Sequence, residues 1–162
     1  MRHSEVTVPL ADAAATRALG ARLAAVLLSD ARGPTTLALS GELGSGKTTL
    51  VAGMLAALGY AGPVRSPTYT LVEPYSFAGR ELLHCDLYRL ETPEAVEDLG
   101  LRDVLTGANV LVVEWPERAR DRLAVADLGM QLEYDGVARI ARLRAQTARG
   151  AQLLEGLALD LA

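Results

Sequence analysis

The sequence predicts a three-layer α/β domain in which a parallel core sheet is extended by antiparallel strands. A short β-type run, TTLALS at residues 35–40, leads into a glycine-rich stretch, and an amphipathic helix follows it. The run NVLVV at residues 109–113 is apolar throughout, which is typical of a parallel strand covered on both faces. Two pairs of short strand-like runs, each joined by a glycine-containing turn, indicate the antiparallel additions.

Four segments have the periodicity or the end signals of helices. Leucine and valine recur on one face of the first segment, and apolar residues recur at every fourth position of the second. Gly59 is suited to end the second helix, and a threonine N-cap followed by proline starts the third. The predicted helices are, in chain order, residues 12–28, residues 47–58, a helix that starts at Thr92-Pro93-Glu94, and residues 148–161.

The remaining strand-like runs form two predicted hairpins. In the first, ELLHCD at residues 81–86 follows residues 70–75 after a glycine-containing turn. In the second, residues 127–134 alternate between apolar and polar side chains, and residues 137–145 return after Asp135-Gly136. The Asp-Gly pair is typical of a type I′ turn, so we expect two antiparallel ribbons beside the core.

Length and composition narrow the classes of protein. With 162 residues, 50% of them hydrophobic, we expect one domain over residues 1–162. The net charge of −4 argues against a general nucleic-acid binder, although a partner could hold nucleic acid. No apolar run has the length of a membrane helix or signal peptide, so we expect a cytoplasmic protein. One cysteine, Cys85, and two histidines, His3 and His84, argue against a disulfide or a structural zinc site.

The glycine-rich stretch fits the P-loop pattern, Gly41-x-x-x-x-Gly46-Lys47-Thr48, in full. Its glycines permit backbone conformations that a Cβ would penalise, so N–H groups can point at phosphate oxygens. Lys47 is the only lysine of the chain, and its compact ammonium reaches phosphates where a planar guanidinium would not fit. We therefore expect a P-loop NTPase-type domain that binds ATP and Mg²⁺. The residues expected at the phosphates are Gly44, Ser45, Gly46, Lys47, Thr48 and Thr49.

Two acids follow apolar runs and could serve the metal. Mg²⁺ at a P-loop is held by the threonine hydroxyl, here Thr48, and by an acid at the end of a neighbouring strand. The run before Glu114 is more uniformly apolar than the run before Asp86. We therefore expect the strand of Glu114 beside the P-loop strand, and Glu114 as the metal residue. Asp86 would act through a water or position the attacking water. Whether Glu114 or Asp86 is the direct ligand stays open, and either acid could instead pair with a surface arginine such as Arg89 or Arg118.

Other polar positions carry weaker signals. Ser66 and Thr68 lie in a segment, residues 66–70, that could cross the γ-phosphate, although an ordinary proline-restrained loop is the alternative. Trp115 is expected to pack in the interior, or to contact a partner protein if its side chain is exposed. Strand alternation separates Cys85 from its neighbours, which argues against nucleophilic catalysis by the HCD stretch and for a buried thiol. Four arginines form a solvated face or a patch for an acidic partner or RNA: Arg139, Arg142, Arg144 and Arg149.

Four segments together resemble the TsaE family, the small bacterial ATPases required for threonylcarbamoyladenosine formation on tRNA. The segments are SGELGSGKTTL, SPTYTLVEPY, LLHCDLYRL and LVVEWPER, in the family's order and spacing. Thr16-x-x-Leu19-Gly20 is also similar to the family's N-terminal pattern. The resemblance covers most of the chain and departs from the family at Cys85, where an aromatic residue is common.

The resemblance implies a P-loop ATPase that acts with the TsaD and TsaB proteins and meets tRNA only through their complex. It implies that Lys47 and Thr48 bind phosphate and Mg²⁺, that Glu114 is the second metal residue, and that Asp86 takes part in catalysis. Residues 66–70 become a switch-like segment. We expect slow hydrolysis by the chain alone, because P-loop ATPases often need a residue supplied in trans.

Two other functions share the P-loop. A small-molecule kinase should have an arginine-bearing lid and an acceptor pocket. The sequence has no obvious lid; the segment most like one contains Arg118, Arg120 and Arg122. A nucleotide-binding module that does not hydrolyse ATP is the third hypothesis.

Overall fold

The computed structural model describes residues 4–67 and 69–162. Within these residues, seven strands form one sheet: β1 (Glu5–Leu10), β2 (Thr35–Gly41), β3 (Val72–Phe77), β4 (Arg80–Asp86), β5 (Val110–Glu114), β6 (Leu128–Asp135) and β7 (Ala138–Ala145). The same residues contain four α-helices: α1 (Ala13–Ser29), α2 (Lys47–Ala57), α3 (Leu101–Val104) and α4 (Ala148–Leu161). Two 3-10 helices cover Pro93–Leu99 and Pro116–Arg122.

The sheet has the order β1-β7-β6-β2-β5-β4-β3. Its centre is parallel, because β2 pairs with β5 and β6, and β4 pairs with β5, in the parallel sense. Antiparallel strands extend both sides, with β3 beside β4 and with β7 and β1 beyond β6. The predicted α/β sheet with a parallel core and antiparallel additions is therefore confirmed.

Apolar side chains cover the two faces of the sheet in two separate clusters. Helices α1, α2 and α4 pack on one face, where the P-loop strand contributes Leu37 and Leu39. On the other face, Val96, Leu101 and Ala119 of the short helices pack against β4 and β5. The centre of the sheet is thus buried between layers, which fixes the ends of β2, β4 and β5 relative to one another.

The helix and hairpin predictions agree with the structure to within two or three residues, with two differences. Thr92 precedes a 3-10 helix rather than an α-helix, and its side chain makes no capping hydrogen bond. The loop of the second hairpin is Gly136-Val137, one residue later than predicted, because Asp135 still pairs with Ala138. Gly136 adopts a φ of 60°, but Val137 does not have a positive φ. The predicted type I′ turn is therefore wrong, because that type needs positive φ at both loop residues.

Strand β1 was not predicted. Its side chains alternate, and Val6 and Val8 pack on the main core while their neighbours face outward. Pro9 conceals the pattern, since proline cannot donate a hydrogen bond within a sheet. It is accommodated because β1 lies at the edge and pairs only with β7. Among the helices of residues 4–67 and 69–162, none has the length and apolar character needed to cross a membrane.

Candidate nucleotide-binding site

The glycine-rich loop joins the end of β2 to the start of α2 and depends on left-handed backbone. Gly44 and Gly46 have φ of 77° and 107°, and Gly46 stands at the N-cap of α2 without a side-chain cap. A Cβ on Gly41 would lie 2.6 Å from Ser45 Oγ, which is buried under the loop. The first N–H groups of α2 have no partner within the helix, and such a terminus is suited to bind an anion.

The β6–β7 hairpin and helix α1 brace this loop. The Tyr134 hydroxyl donates a hydrogen bond of 2.7 Å to the Leu43 carbonyl, and the Arg139 guanidinium donates one of 3.2 Å to the Gly44 carbonyl. The guanidinium also stacks 4.0 Å from the centre of the Tyr134 ring. On the inner side, buried Thr16 faces Gly46, with its methyl group 3.5 Å from where a Cβ would stand. Sequence reasoning missed the hairpin's contribution and picked Thr16 only by resemblance.

Lys47 is almost fully buried, at 5% exposure, and directs its ammonium back to the loop. Its Nζ donates hydrogen bonds of 2.6 Å to the Gly41 carbonyl and 2.9 Å to the Glu42 carbonyl. The ring of Trp115 covers it at 4.4 Å, a cation–π contact. Burial lowers the pKa of the Lys47 ammonium, and the carboxylate of Glu114 opposes that shift.

The two predicted acids lie side by side at the ends of adjacent strands. Asp86 of β4 is paired in register with Glu114 of β5, and Glu114 pairs with Leu39 of the P-loop strand. The strand of Glu114 therefore lies beside the P-loop strand, as predicted. The Thr48 hydroxyl donates to the Glu114 carboxylate, at 3.2 Å from both oxygens, and lies 2.6 Å from Ser66 Oγ.

Asp86 is half-buried, and its carboxyl is perturbed by its surroundings. Burial raises the pKa of Asp86, and the neighbouring charge of Glu114 raises it further. Hydrogen bonds from the Tyr88 N–H, at 2.9 Å, and from the Ser66 hydroxyl oppose the rise. Asp86 is therefore a stronger base than an exposed aspartate, and its position is fixed by two donors.

Glu114 has a partner that sequence reasoning did not assign. The Nε2 of His84 lies 2.5 Å from Glu114 Oε2, and both side chains are buried. Among the residues that the structure describes, no arginine forms an ion pair with Glu114 or Asp86, so the surface-pair alternative is wrong for that part of the chain. The available signal was strand alternation, which sends His84 and Asp86 to the same face. Cys85 points to the other face and is buried, as expected.

These side chains surround a cleft of about 450 Å³. Nine predicted site residues line it: Gly44, Gly46, Lys47, Thr48, Thr49, Ser66, Asp86, Glu114 and Trp115. Thr68 lies outside the described residues. The cleft also includes residues that were not predicted as site residues, namely Leu43, Pro67, Leu71, Tyr88 and Arg89.

The family model described as threonylcarbamoyl adenosine biosynthesis protein TsaE matches residues 10–142. The chain belongs to the TsaE family. The tRNA threonylcarbamoyladenosine biosynthesis protein TsaE of Haemophilus influenzae is 45% identical over 116 residues, which are 72% of this chain and 73% of that protein. The protein of the same name from Streptomyces coelicolor is 42% identical over 120 residues, 72% of this chain and 78% of that protein.

A solved structure, that of YdiB from Bacillus subtilis, has a similar fold. Its TM-score is 0.79 at 25% sequence identity, and the match covers 98% of this chain and 97% of that one. The likeness extends over the antiparallel strands as well as the parallel core. The predicted P-loop NTPase-type fold is thus confirmed for this TsaE-family chain.

The residues of this TsaE site fit Mg²⁺ together with a nucleotide. Mg²⁺ prefers one or two carboxylates completed by phosphate oxygens over a cage built only of protein ligands. In the described part of the chain, no three His, Cys, Asp or Glu side chains form a group that could hold a metal ion. The donor set of Thr48 and Glu114 suits a metal that phosphates complete. The loop beside it has positive φ at its glycines, a backbone conformation that is suited to bind an anion.

The arginine stretch of this TsaE chain is largely neutralised by carboxylates. Arg139 is used at the glycine-rich loop. The other three arginines form ion pairs within the described residues: Arg142 with Glu133, Arg144 with Glu5, and Arg149 with Asp30. The stretch therefore does not form a free basic patch.

Proposed function

We propose that this TsaE-family chain is a Mg²⁺-dependent ATPase that serves tRNA threonylcarbamoyladenosine biosynthesis by acting on a TsaD–TsaB complex. One observation carries the proposal. The Thr48 hydroxyl lies between the Glu114 carboxylate and Ser66, beside buried Lys47, where parallel strands end. A lysine, a threonine and a strand-end acid in this arrangement are the parts that P-loop ATPases use.

In the proposed complex, the phosphates bind to the glycine-rich loop and the N-terminal N–H groups of α2, which carry partial positive charge. The ammonium of Lys47 adds a full positive charge beside the phosphates. Its Nζ already has two carbonyl partners, and phosphate oxygens can replace them without leaving an N–H unpaired. Thr48 and Glu114 are the proposed Mg²⁺ residues. When bound, the metal neutralises charge on the β- and γ-phosphate oxygens.

Asp86 is the proposed residue for orienting the attacking water. It is adjacent to Glu114 in register, and its raised pKa makes it a better proton acceptor than an exposed aspartate. The Tyr88 N–H and the Ser66 hydroxyl hold the carboxylate in place, which favours a defined direction of attack.

The first residue of the switch-like segment, Ser66, and the residue that directly follows the segment, Leu71, both contact the site, which supports a partner-directed role. Ser66 lies against Thr48, and the Leu71 carbonyl accepts a hydrogen bond of 2.9 Å from the Asp86 N–H. A rearrangement at the phosphates would therefore move this segment. Tyr69, at 92% exposure, would present the change to a partner, in our proposal TsaD–TsaB, with tRNA contacted only through that complex.

The test is ATP hydrolysis by the purified chain with Mg²⁺, alone and with TsaD and TsaB, in the presence and absence of tRNA. We expect slow turnover alone and faster turnover with the partners. Both activities should be lost in Lys47→Ala and Glu114→Ala. They should be retained in Arg22→Ala, which alters an exposed residue of α1 that pairs weakly with Asp160.

Two results would contradict the proposal. Nucleotide binding without multiple turnovers, even with partners and tRNA present, would indicate a non-hydrolysing module. Phosphorylation of a metabolite at enzymatic rates would indicate a kinase. Against a kinase lid, Arg122 is already bound by Glu94 and Glu97 of the neighbouring 3-10 helix.

A further inference from the structure

His84 is a fully buried imidazole that directs one nitrogen at the candidate metal residue. Its exposure is 0%, and Nε2 lies 2.5 Å from Glu114 Oε2. Its other nitrogen, Nδ1, has no hydrogen-bond partner among the described residues. Burying an imidazole with one unpaired nitrogen costs free energy that an apolar side chain would not incur. The polar function of the ring is therefore directed to Glu114 alone.

The sheet register explains how the two side chains meet. In β4, His84 and Asp86 point to the same face, because side chains alternate along a strand. Asp86 is paired with Glu114, and His84 is paired with Val112, one step further from the cleft. The imidazole therefore contacts the Glu114 carboxylate from the side away from the cleft. The Thr48 hydroxyl contacts the same carboxylate from the cleft side.

We propose that His84 is a positioning residue that holds the Glu114 carboxylate in the orientation needed to bind Mg²⁺ with Thr48. This inference rests on the proposed Mg²⁺-nucleotide function. A carboxylate only accepts hydrogen bonds, so Nε2 carries the proton that joins the pair. Oε2 is fixed by the imidazole, and Oε1 keeps the Thr48 hydroxyl as its partner. Outer partners of this kind orient metal-binding side chains, and their loss weakens metal binding by about 10–100-fold.

The experiment compares two variants through the fluorescence of Trp115, which is the only tryptophan and directly follows Glu114. His84→Gln keeps an N–H donor near the position of Nε2, and His84→Leu removes it. A slowly hydrolysed ATP analogue is titrated first in EDTA and then at increasing Mg²⁺. We expect unchanged affinity in EDTA for both variants. The Mg²⁺ concentration at half effect should rise about 10–100-fold in His84→Leu. It should return towards the wild-type value in His84→Gln.

Each contrary outcome has its own meaning. Wild-type Mg²⁺ dependence in His84→Leu overturns the positioning role, as does an equal loss in both variants together with equal drops in melting temperature. If the wild-type protein itself binds the analogue identically with and without Mg²⁺, the proposed function fails, and this inference fails with it.

A measurement without a variant at His84 covers the case in which His84→Leu does not fold. His3→Ala leaves one histidine in the chain, so one set of imidazole signals remains in ¹⁵N NMR spectra. We expect a proton on Nε2, and a shift of its signal when Mg²⁺ is added to the protein bound to the analogue. A proton on Nδ1 alone, or no response to Mg²⁺, overturns the inference.

Discussion

The ring of Trp115 lies 4.4 Å from the ammonium nitrogen of Lys47 and forms one wall of the candidate site. Trp115 has a φ of 57°, which is rare for a bulky residue, and it directly follows Glu114. This backbone turn places the aromatic ring over Lys47 while Glu114 stays directed at Thr48. The half-buried ring therefore lines the cleft and does not form the exposed surface that a partner contact at Trp115 would need.

Replacing Lys47 with arginine should weaken nucleotide binding although the charge is kept. The ammonium fits between two carbonyl oxygens and under an aromatic ring, and a planar guanidinium needs more room and a different arrangement of acceptors. We expect Lys47→Arg to weaken ATP binding by at least about 10-fold, or ~1.4 kcal/mol. Calorimetric titration with Mg²⁺-ATP measures it. Arg22→Lys, on the exposed face of α1, is the control and should bind normally. Equal affinities of the wild type and Lys47→Arg would show that the site accepts either cation.

Alanine at Gly44 should weaken nucleotide binding, whereas alanine at Gly79 should affect only stability. The two glycines have nearly equal φ, 77° and 75°, so the backbone penalty, about 1–2 kcal/mol, is matched. A Cβ at Gly44 would lie 2.8 Å from the Tyr134 hydroxyl, while a Cβ at Gly79 meets nothing within 4 Å. Gly44→Ala should therefore displace the brace at Leu43.

Denaturant unfolding and nucleotide titration of both variants test this. Similar losses of unfolding free energy, with weaker binding in Gly44→Ala alone, are expected. Equal nucleotide affinities would mean that Tyr134 does not control the loop.

The local parts of the site were predictable from the sequence. The P-loop is a contiguous pattern, and Glu114 and Asp86 follow apolar runs whose parallel pairing brings their ends together. The position of Trp115 was not predictable, because nothing in the sequence indicates a left-handed residue between a strand and a proline.

The parts that depend on distant contacts could not be predicted. Tyr134 and Arg139 meet the glycine-rich loop only because β6 pairs with β2, a relationship between segments about 90 residues apart. The partner of His84 lies on the neighbouring strand, and pairing across strands depends on register. Thr48 and Ser66, close in the sequence, were both identified, but their contact was not.

The thiol of Cys85 should be unreactive in the native protein. Burial, together with the smaller effect of the nearby carboxylates of Asp86 and Glu114, raises the pKa of Cys85 to about 12. Against an ordinary value of 9.0, this lowers the thiolate fraction at pH 8 roughly 1,000-fold. A disulfide reagent such as Ellman's should detect no rapid reaction until guanidinium unfolds the chain. In Val137→Cys, at a site of 97% exposure, one thiol should react at once; fast reaction of the wild type would contradict the buried assignment.

Asp30 should stabilise the fold at neutral pH and lose this effect in acid. Its carboxylate pairs with Arg32 of the same loop, at 2.8 Å, and with Arg149 at the start of α4, at 2.9 Å, so it joins the loop after α1 to α4. The hydrogen bonds from Arg32 hold the pKa of Asp30 well below its usual range, with Arg149 adding to the effect. A lowered native pKa means stabilisation that is complete above the unfolded pKa and declines as the pH falls towards the native one.

Asp30→Asn should therefore lower the free energy of unfolding by about 1–3 kcal/mol at pH 7, and the difference should shrink below pH 4. Urea unfolding across pH measures this. Asp160→Asn, which alters an exposed pair with Arg22 at 3.9 Å, should change stability by less than about 0.5 kcal/mol. A constant difference between wild type and Asp30→Asn at all pH values would show that the carboxylate charge is not responsible.

Neutral replacements of the two acids should separate metal binding from catalysis. Glu114 contacts Thr48 directly, whereas Asp86 reaches it through Ser66 and has the raised pKa. We expect Glu114→Gln to weaken the Mg²⁺ dependence of nucleotide binding by about 10-fold or more, since an amide is a poor Mg²⁺ ligand. Asp86→Asn should keep Mg²⁺-dependent binding while turnover falls by about 10²-fold, as expected on loss of a general base. Fluorescence titration of Trp115 and single-turnover hydrolysis measure the two effects. The reverse pattern, with Mg²⁺ dependence lost in Asp86→Asn and kept in Glu114→Gln, would make Asp86 the direct metal ligand and require a different base.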